Sequence, residues 1–115
     1  MTSTPKCIVQ ATYATASDVT VYTAPVGTNT IIDKFTAANQ DGSSHTLNVN
    51  LVPNGGSVGA GNLLIDAQSV SGSSVTDFSG YLQNQILNAG DFLSIKASAA
   101  SDILVRVSGR EVTIP

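Results

Sequence analysis

The sequence predicts an all-β protein: a single antiparallel β-sandwich of about eight short strands, jelly-roll or immunoglobulin-like in its connections. Three observations predict it. Apolar and polar residues alternate with a period of two over most of the chain. Clusters of Gly, Pro, Asn, Asp and Ser interrupt that alternation at the spacing of sandwich turns. Charged residues make up only 11% of the chain, and Thr, Ser, Asn and Gly fill the polar positions instead. The shortage of Lys and Glu removes the usual helix formers.

The elements follow in order. Residues 6–15 place Cys7, Val9, Ala11 and Tyr13 on one face and Ile8, Gln10, Thr12 and Ala14 on the other. Residues 18–22 and 30–38 read as the next two strands, separated by TAPVGTN with its Pro and Gly. NQDGSSH, with an Asp-Gly pair, turns the chain into HTLNVNLV. There Leu47, Val49 and Leu51 share a face against Thr46, Asn48 and Asn50, the pattern of a half-buried strand. VPNGGSVGAGN then connects to NLLIDAQSV, and SGSS breaks the chain again. Residues 75–84 show no clear period and suit an extended crossover or a short helical turn. NAGD is a tight turn before the strand 92–97, in which Leu93, Ile95 and Ala97 oppose Ser94 and Lys96. After SAASD the last strand sets Ile103, Val105 and Val107 on one face. Beyond Gly109 its apolar residues shift to Val112 and Ile114, and a phase change at a glycine predicts a β-bulge or a bend.

A chain of 115 residues is one domain, 1–115, with a short polar N-terminal arm at about residues 1–6. Near this size a domain buries roughly 65% of its unfolded surface, enough for a real core without staples. MTSTPK is polar and holds a proline that cannot donate to a sheet, so the arm is expected to be disordered when free. The net charge is −3, and the five basic residues, Lys6, Lys34, Lys96, Arg106 and Arg110, are scattered along the chain. Direct nucleic-acid binding is therefore not expected. The single cysteine, Cys7, forms no internal disulfide and reads as a small buried hydrophobe. No apolar run approaches the ~18 residues of a membrane helix. The apolar run near the N-terminus is too short for a signal peptide despite the A-x-A at Ala14 and Ala16, which points to synthesis in a cytoplasm without general export.

The motif search yields little chemistry. GSVGAGNL has the G-x-x-x-x-G spacing of a phosphate loop, at Gly56 and Gly61. Asn62 and Leu63 stand where Lys and Ser/Thr are required, and no helix of useful length follows. It reads as a glycine-rich connection between strands. His45, the only histidine, reads as a solvated turn residue with no flanking acid or thiol, and one His with one Cys cannot make a usual zinc site. DGSSH and NAGDF lack the alternating acidic and amide ligands of a calcium loop. Asp33 and Asp66 each interrupt an apolar strand; they suit solvent exposure or a neighbour such as Lys34 better than a catalytic carboxyl pair. No catalytic group, cofactor or metal is expected. A glycan-binding module is a further reading, but the chain has no Trp, and half of its six aromatics belong in a core.

Five stretches in order, VYTAPVG, the A-N at Ala38–Asn39, VPNGG, LNAGD and VSGREV, resemble the small β-sandwich virion structural proteins of tailed bacteriophages, over roughly residues 20 to 115. The resemblance implies a virion component made in the host bacterial cytoplasm. In particular it implies a capsid decoration or cement protein on the outside of the major capsid lattice, acting as a homotrimer. The alternative it leaves is a tail or appendage component. The major capsid protein and further copies of the chain are the expected partners, and no membrane. Candidate contact residues are Thr2, Ser3, Thr4, Pro5, Lys6 and Ile8 at the N-terminus, Ile8 because it is apolar on a polar face. Leu63 and Leu64 join them, because Leu63, Leu64 and Ile65 in succession exceed what one buried face absorbs.

Overall fold

In the computed structural model, which describes residues 2–114, nine strands pack as two antiparallel sheets. They are β1 (Ser3–Tyr13), β2 (Val19–Thr23), β3 (Thr28–Asn39), β4 (His45–Val52), β5 (Leu63–Val70), β6 (Ser74–Asp77), β7 (Ile86–Leu87), β8 (Phe92–Ala97) and β9 (Ile103–Thr113). One sheet has the order β1-β9-β3-β6, with β7 also on β3; the other has the order β2-β8-β4-β5. Strands β1 to β4 alternate between the sheets. The late strands return between early ones, β8 between β2 and β4 and β9 between β1 and β3. That is jelly-roll order, and it decides between the two sandwich types the sequence allows. The region without a clear period holds both expected features: β6, then the single helical turn α1 (Ser79–Leu82).

The core lies between the sheets. Ile32, Phe35, Val105 and Val107 meet Leu47, Val49, Leu93 and Ile95 there, all fully buried. The alternation seen in the sequence thus places one face of each central strand against the other sheet. Phe78, at the start of α1, closes one side with its ring edge-on to Phe35 at 6.2 Å.

The phase change at Gly109 has its cause in the neighbouring strands. β1 pairs Cys7 with Ser108 and then Val9 with Val107, so Ile8 is the extra residue. β3 pairs Ile32 with Gly109 and then Lys34 with Ser108, so Asp33 is extra there. Both neighbours of β9 therefore bulge at one level. A Cβ on Gly109 would lie 2.4 Å from the Ile31 carbonyl oxygen, so only glycine allows this approach.

Several expectations change. Residues 3–6 are the start of β1, paired Ser3 to Val112, Thr4 to Glu111, Pro5 to Arg110 and Lys6 to Gly109; Met1 lies outside the described residues. The arm is ordered because β9 extends past the body and offers its backbone there. Pro5 is tolerated because β1 is an edge strand. Ile8 is 7% exposed and belongs to the core, because the bulge turns it and Val9 inward together. It is not free for an external contact. Cys7 is only partly buried, and Ala11 and Tyr13 are exposed, so strict alternation in β1 ends at the bulge. In β4 the buried set is Leu47, Val49 and Val52, with Leu51 partly exposed and Asn50 buried. The amide of Asn50 reaches the Gly59 carbonyl at 3.1 Å and the Asn62 amide oxygen at 2.8 Å, and so holds the glycine-rich loop down.

Candidate functional site

Four of the seven large apolar side chains exposed among the described residues lie on one side of the sandwich. β5 is the edge of one sheet, and β6 and β7 lie along the outer edge of the other, with α1 between them. This side carries Leu64, Val75, Tyr81 and Ile86, 41%, 67%, 60% and 55% exposed. Leu64 is exposed because β5 bulges: Ile65 pairs with Val49 and Leu63 with the adjacent Asn50, so Leu64 is the extra residue. Ile65 turns into the core, 2% exposed, and Leu63 is half-buried. The excess apolar residue the sequence indicates is therefore Leu64. It borders a shallow pocket of about 50 Å³ with Ile65, Asp66, Gln68 and Tyr81. Small-molecule sites usually measure ~300–1,000 Å³, so the rim suits contact with another protein surface better than capture of a nucleotide or sugar.

The N-terminal candidates Thr2, Ser3, Thr4, Pro5 and Lys6 lie elsewhere, exposed on the β1 edge. The structure therefore does not bring the two groups of candidates together. Thr2 is held by its carbonyl, which accepts the Thr113 amide at 2.9 Å. Lys6 sits 3.4 Å from Glu111.

Glu111 also anchors a polar link between the sheets. The Tyr22 hydroxyl, from β2, donates to the Glu111 carboxylate at 2.5 Å and lies 2.6 Å from the Thr30 hydroxyl. Burial, reinforced by the hydrogen bond to Glu111, pushes the Tyr22 phenol up from 10.0 to about 12, with Thr30 pulling weakly the other way. Two further ion pairs link neighbouring strands of one sheet. Arg110 grips Asp33 with two nitrogens at 2.9–3.1 Å, and Lys34 faces Asp77 at 3.9 Å. Asp33 thus pairs across strands with Arg110, not with its neighbour Lys34. Asp66 lies on the other sheet, which separates the two strand-borne carboxylates into different layers.

One cluster escapes the reading of the sequence. His45 opens β4, and its ring is not solvated: the side chain is 17% exposed, with Nε2 at 2.8 Å from Asp41 Oδ2 and 3.3 Å from Asp102 Oδ2. Its Nδ1 lies 3.4 Å from Ser98 Oγ. The hydrogen bond from His45, then that from the Gly42 amide, holds the Asp41 carboxyl below the usual carboxylate range. Asp41 was legible as a neighbour four residues away; Asp102 was not, since only the jelly-roll return of β9 brings it close.

The glycine-rich loop is a connection. It ends in one 3-10 turn at Ala60–Asn62, and its apparent motif presents no helix to an anion. Of the aromatics, Tyr13 is exposed and ties its hydroxyl to Gln40 at 2.6 Å, while Phe35 and Phe78 are core. No helix among the described residues is long and apolar enough to cross a membrane.

Fold and surface together define a jelly-roll domain with one apolar rim. No known family model and no curated protein matches the chain. Among solved structures it is similar to a protein of Bacillus endospore appendages, described as a novel family of disulfide-linked pili. The TM-score is 0.56 at 14% identity, over 99% of this chain and 88% of that one. The likeness is one of fold.

Proposed function

We propose that the chain is a structural subunit that works by contact within a multicopy surface assembly, without catalysing a reaction. The assembly we favour is a bacteriophage virion, with the chain as a homotrimeric decoration protein on the outer face of the major capsid lattice. The observation that carries the reading is the exposed apolar side of the domain, with Leu64, Val75, Tyr81 and Ile86. A surface of that kind seeks another protein surface. The ordered motifs that resemble phage virion proteins supply the lattice. A decoration protein stabilises the shell because it binds assembled subunits better than free ones, and many copies turn modest contacts into firm attachment.

A second reading, an appendage subunit, is favoured by the fold likeness to a pilus protein. The route of disulfide linkage does not transfer directly. With one cysteine per chain, Cys7 can join copies in pairs but cannot link a filament end to end. Quantitative mass spectrometry of purified particles tests the choice. Hundreds of copies per particle support decoration. A dozen or fewer, or filaments formed by the purified protein, would replace it with the appendage reading.

A further inference from the structure

We infer that Asp41, His45 and Asp102 form a binding site for a divalent transition-metal ion of the zinc class, which clamps the loop between β3 and β4 to the loop between β8 and β9. The site does not depend on the proposed place of the protein in a virion.

The three ligand atoms converge on one region. Nε2 of His45 is 2.8 Å from Asp41 Oδ2 and 3.3 Å from Asp102 Oδ2, and all three atoms lie within 4.8 Å of one another. Ligands ~2.0–2.1 Å from a tetrahedral ion stand roughly 3.3 Å apart. Two sides of the triangle, at 2.8 and 3.3 Å, are already close to that size. One imidazole nitrogen with two carboxylate oxygens suits a borderline ion such as zinc better than the all-oxygen cages of calcium or magnesium.

Charge gives an independent reason. Among the described residues His45 is the only basic side chain within 4.0 Å of either carboxylate. A neutral ring can donate its Nε2 proton well to only one of them, and a charged ring offsets one charge of two. A divalent cation offsets both.

The surroundings fix the ligands. With the metal on Nε2, the ring must carry its proton on Nδ1, and that nitrogen faces Ser98 Oγ at 3.4 Å. Ser98 Oγ is itself held by the Thr46 amide at 3.0 Å. Such a partner on the second nitrogen is the usual companion of a metal-binding histidine. Asp41 is positioned by the buried Asn39, whose amide oxygen accepts the Asp41 backbone N–H at 3.0 Å. The Gly42 amide takes Asp41 Oδ1 and leaves Oδ2 for the site. Asp102 is tied to the same loop through its carbonyl, which accepts the Gln40 amide at 2.8 Å. The carboxylates are 45% and 31% exposed, so an ion can enter from solvent and keep water on its open positions.

The test uses the full-length, tag-free chain, stripped with a chelator and titrated with zinc chloride. Calorimetry should show saturable binding of one ion per chain. At a free zinc concentration of 100 times the dissociation constant, Tm should rise by roughly 10 °C; magnesium should not move it. His45 is the only histidine, so its ring gives one NMR signal of its kind, and that signal should shift in step with the calorimetric saturation. Asp102→Asn should weaken binding at least tenfold, and His45→Gln should abolish it. If a variant fails to fold, the ring signal of the unaltered chain still decides. An unmoved His45 signal under saturating zinc, a magnesium response equal to that of zinc, or undiminished binding by folded His45→Gln would overturn the site.

Discussion

Replacing Tyr22 by Phe probes the link between the sheets with the loss of one oxygen atom. In the folded protein that oxygen donates to the Glu111 carboxylate at 2.5 Å and meets the Thr30 hydroxyl at 2.6 Å. Thr30 is fully buried, and the Glu111 side chain is 18% exposed. A hydrogen bond to a charged group contributes ~1.5–3 kcal/mol, and a buried hydroxyl left without a partner costs ~1–3 kcal/mol. Glu111 keeps Lys6 at 3.4 Å, and water reaches part of the tyrosine, so the two losses do not simply add. The expected cost is about 2–3 kcal/mol in urea unfolding, or a Tm lower by roughly 10 °C for a domain of this size. The pH dependence has a definite sign. The folded-state value of the phenol is raised from 10.0 to about 12, so the stabilisation is complete below pH 10. Above that the unfolded chain gives up its proton first, and the stabilisation is lost as pH rises toward 12. The gap between the parent and Tyr22→Phe should therefore be constant at neutral pH and narrow between about pH 10 and about pH 12. A variant within ~0.5 kcal/mol of the parent at pH 7 would refute the reasoning. So would a gap that stays level across the alkaline range.

Three further outcomes follow from the same geometry. Gly109→Ala forces its Cβ onto the Ile31 carbonyl and should cost about 3 kcal/mol in denaturant unfolding. Leu64→Asp alters a residue already 41% exposed, so the isolated fold should lose less than about 1 kcal/mol, while light scattering should show the proposed trimer replaced by the monomer. Deleting residues 2–5 removes paired edge strand, not a loose tail. It should lower Tm by a few degrees and speed amide exchange at positions 110–113, which lose their β1 partner.

The sandwich was legible because the apolar residues of β8 and of the first half of β9 recur with a period of two. Ile103, Val105 and Val107 face the core as their spacing indicates, and so do Leu93, Ile95 and Ala97. Legibility failed where a strand bulges. Period-two logic puts Ile8 on the outer face of β1, but one extra residue reverses the faces, and no local signal in KCIVQ marks it. The signal was Gly109, about a hundred positions away in the partner strand. The order of residues 3–6 was hidden for the same reason, because an edge strand is ordered by what it pairs with. Leu64 was legible because the excess of apolar residues is local. Of the metal-class cluster, Asp41 lies near His45 in sequence, but Asp102 arrives only through the long-range return of β9.

The edges of the two sheets bear on how copies of the chain can meet. Open strand addition needs a long, flat, unguarded edge. β1 is long, but it carries Pro5 and Lys6 and has two register shifts. β2 has five residues with a shift at Thr20–Tyr22, and β6 has only four residues. β5 is eight residues long, but it bulges at Leu64 and again at Asp66–Ala67. There Ala67 adopts a positive φ of 48° and its amide is capped by the Asn48 side chain at 2.7 Å. Every edge is thus short, bulged or interrupted, and continuous sheets across many copies are disfavoured. What β5 offers instead is a side chain, Leu64, thrust outward by the bulge beside Tyr81. A contact made by such a side chain meets a complementary surface on a neighbour, and the rotation between copies then decides whether the assembly closes. That disfavours a filament grown by strand addition, and in the assembly proposed above the contact between copies would rest on Leu64 and Tyr81.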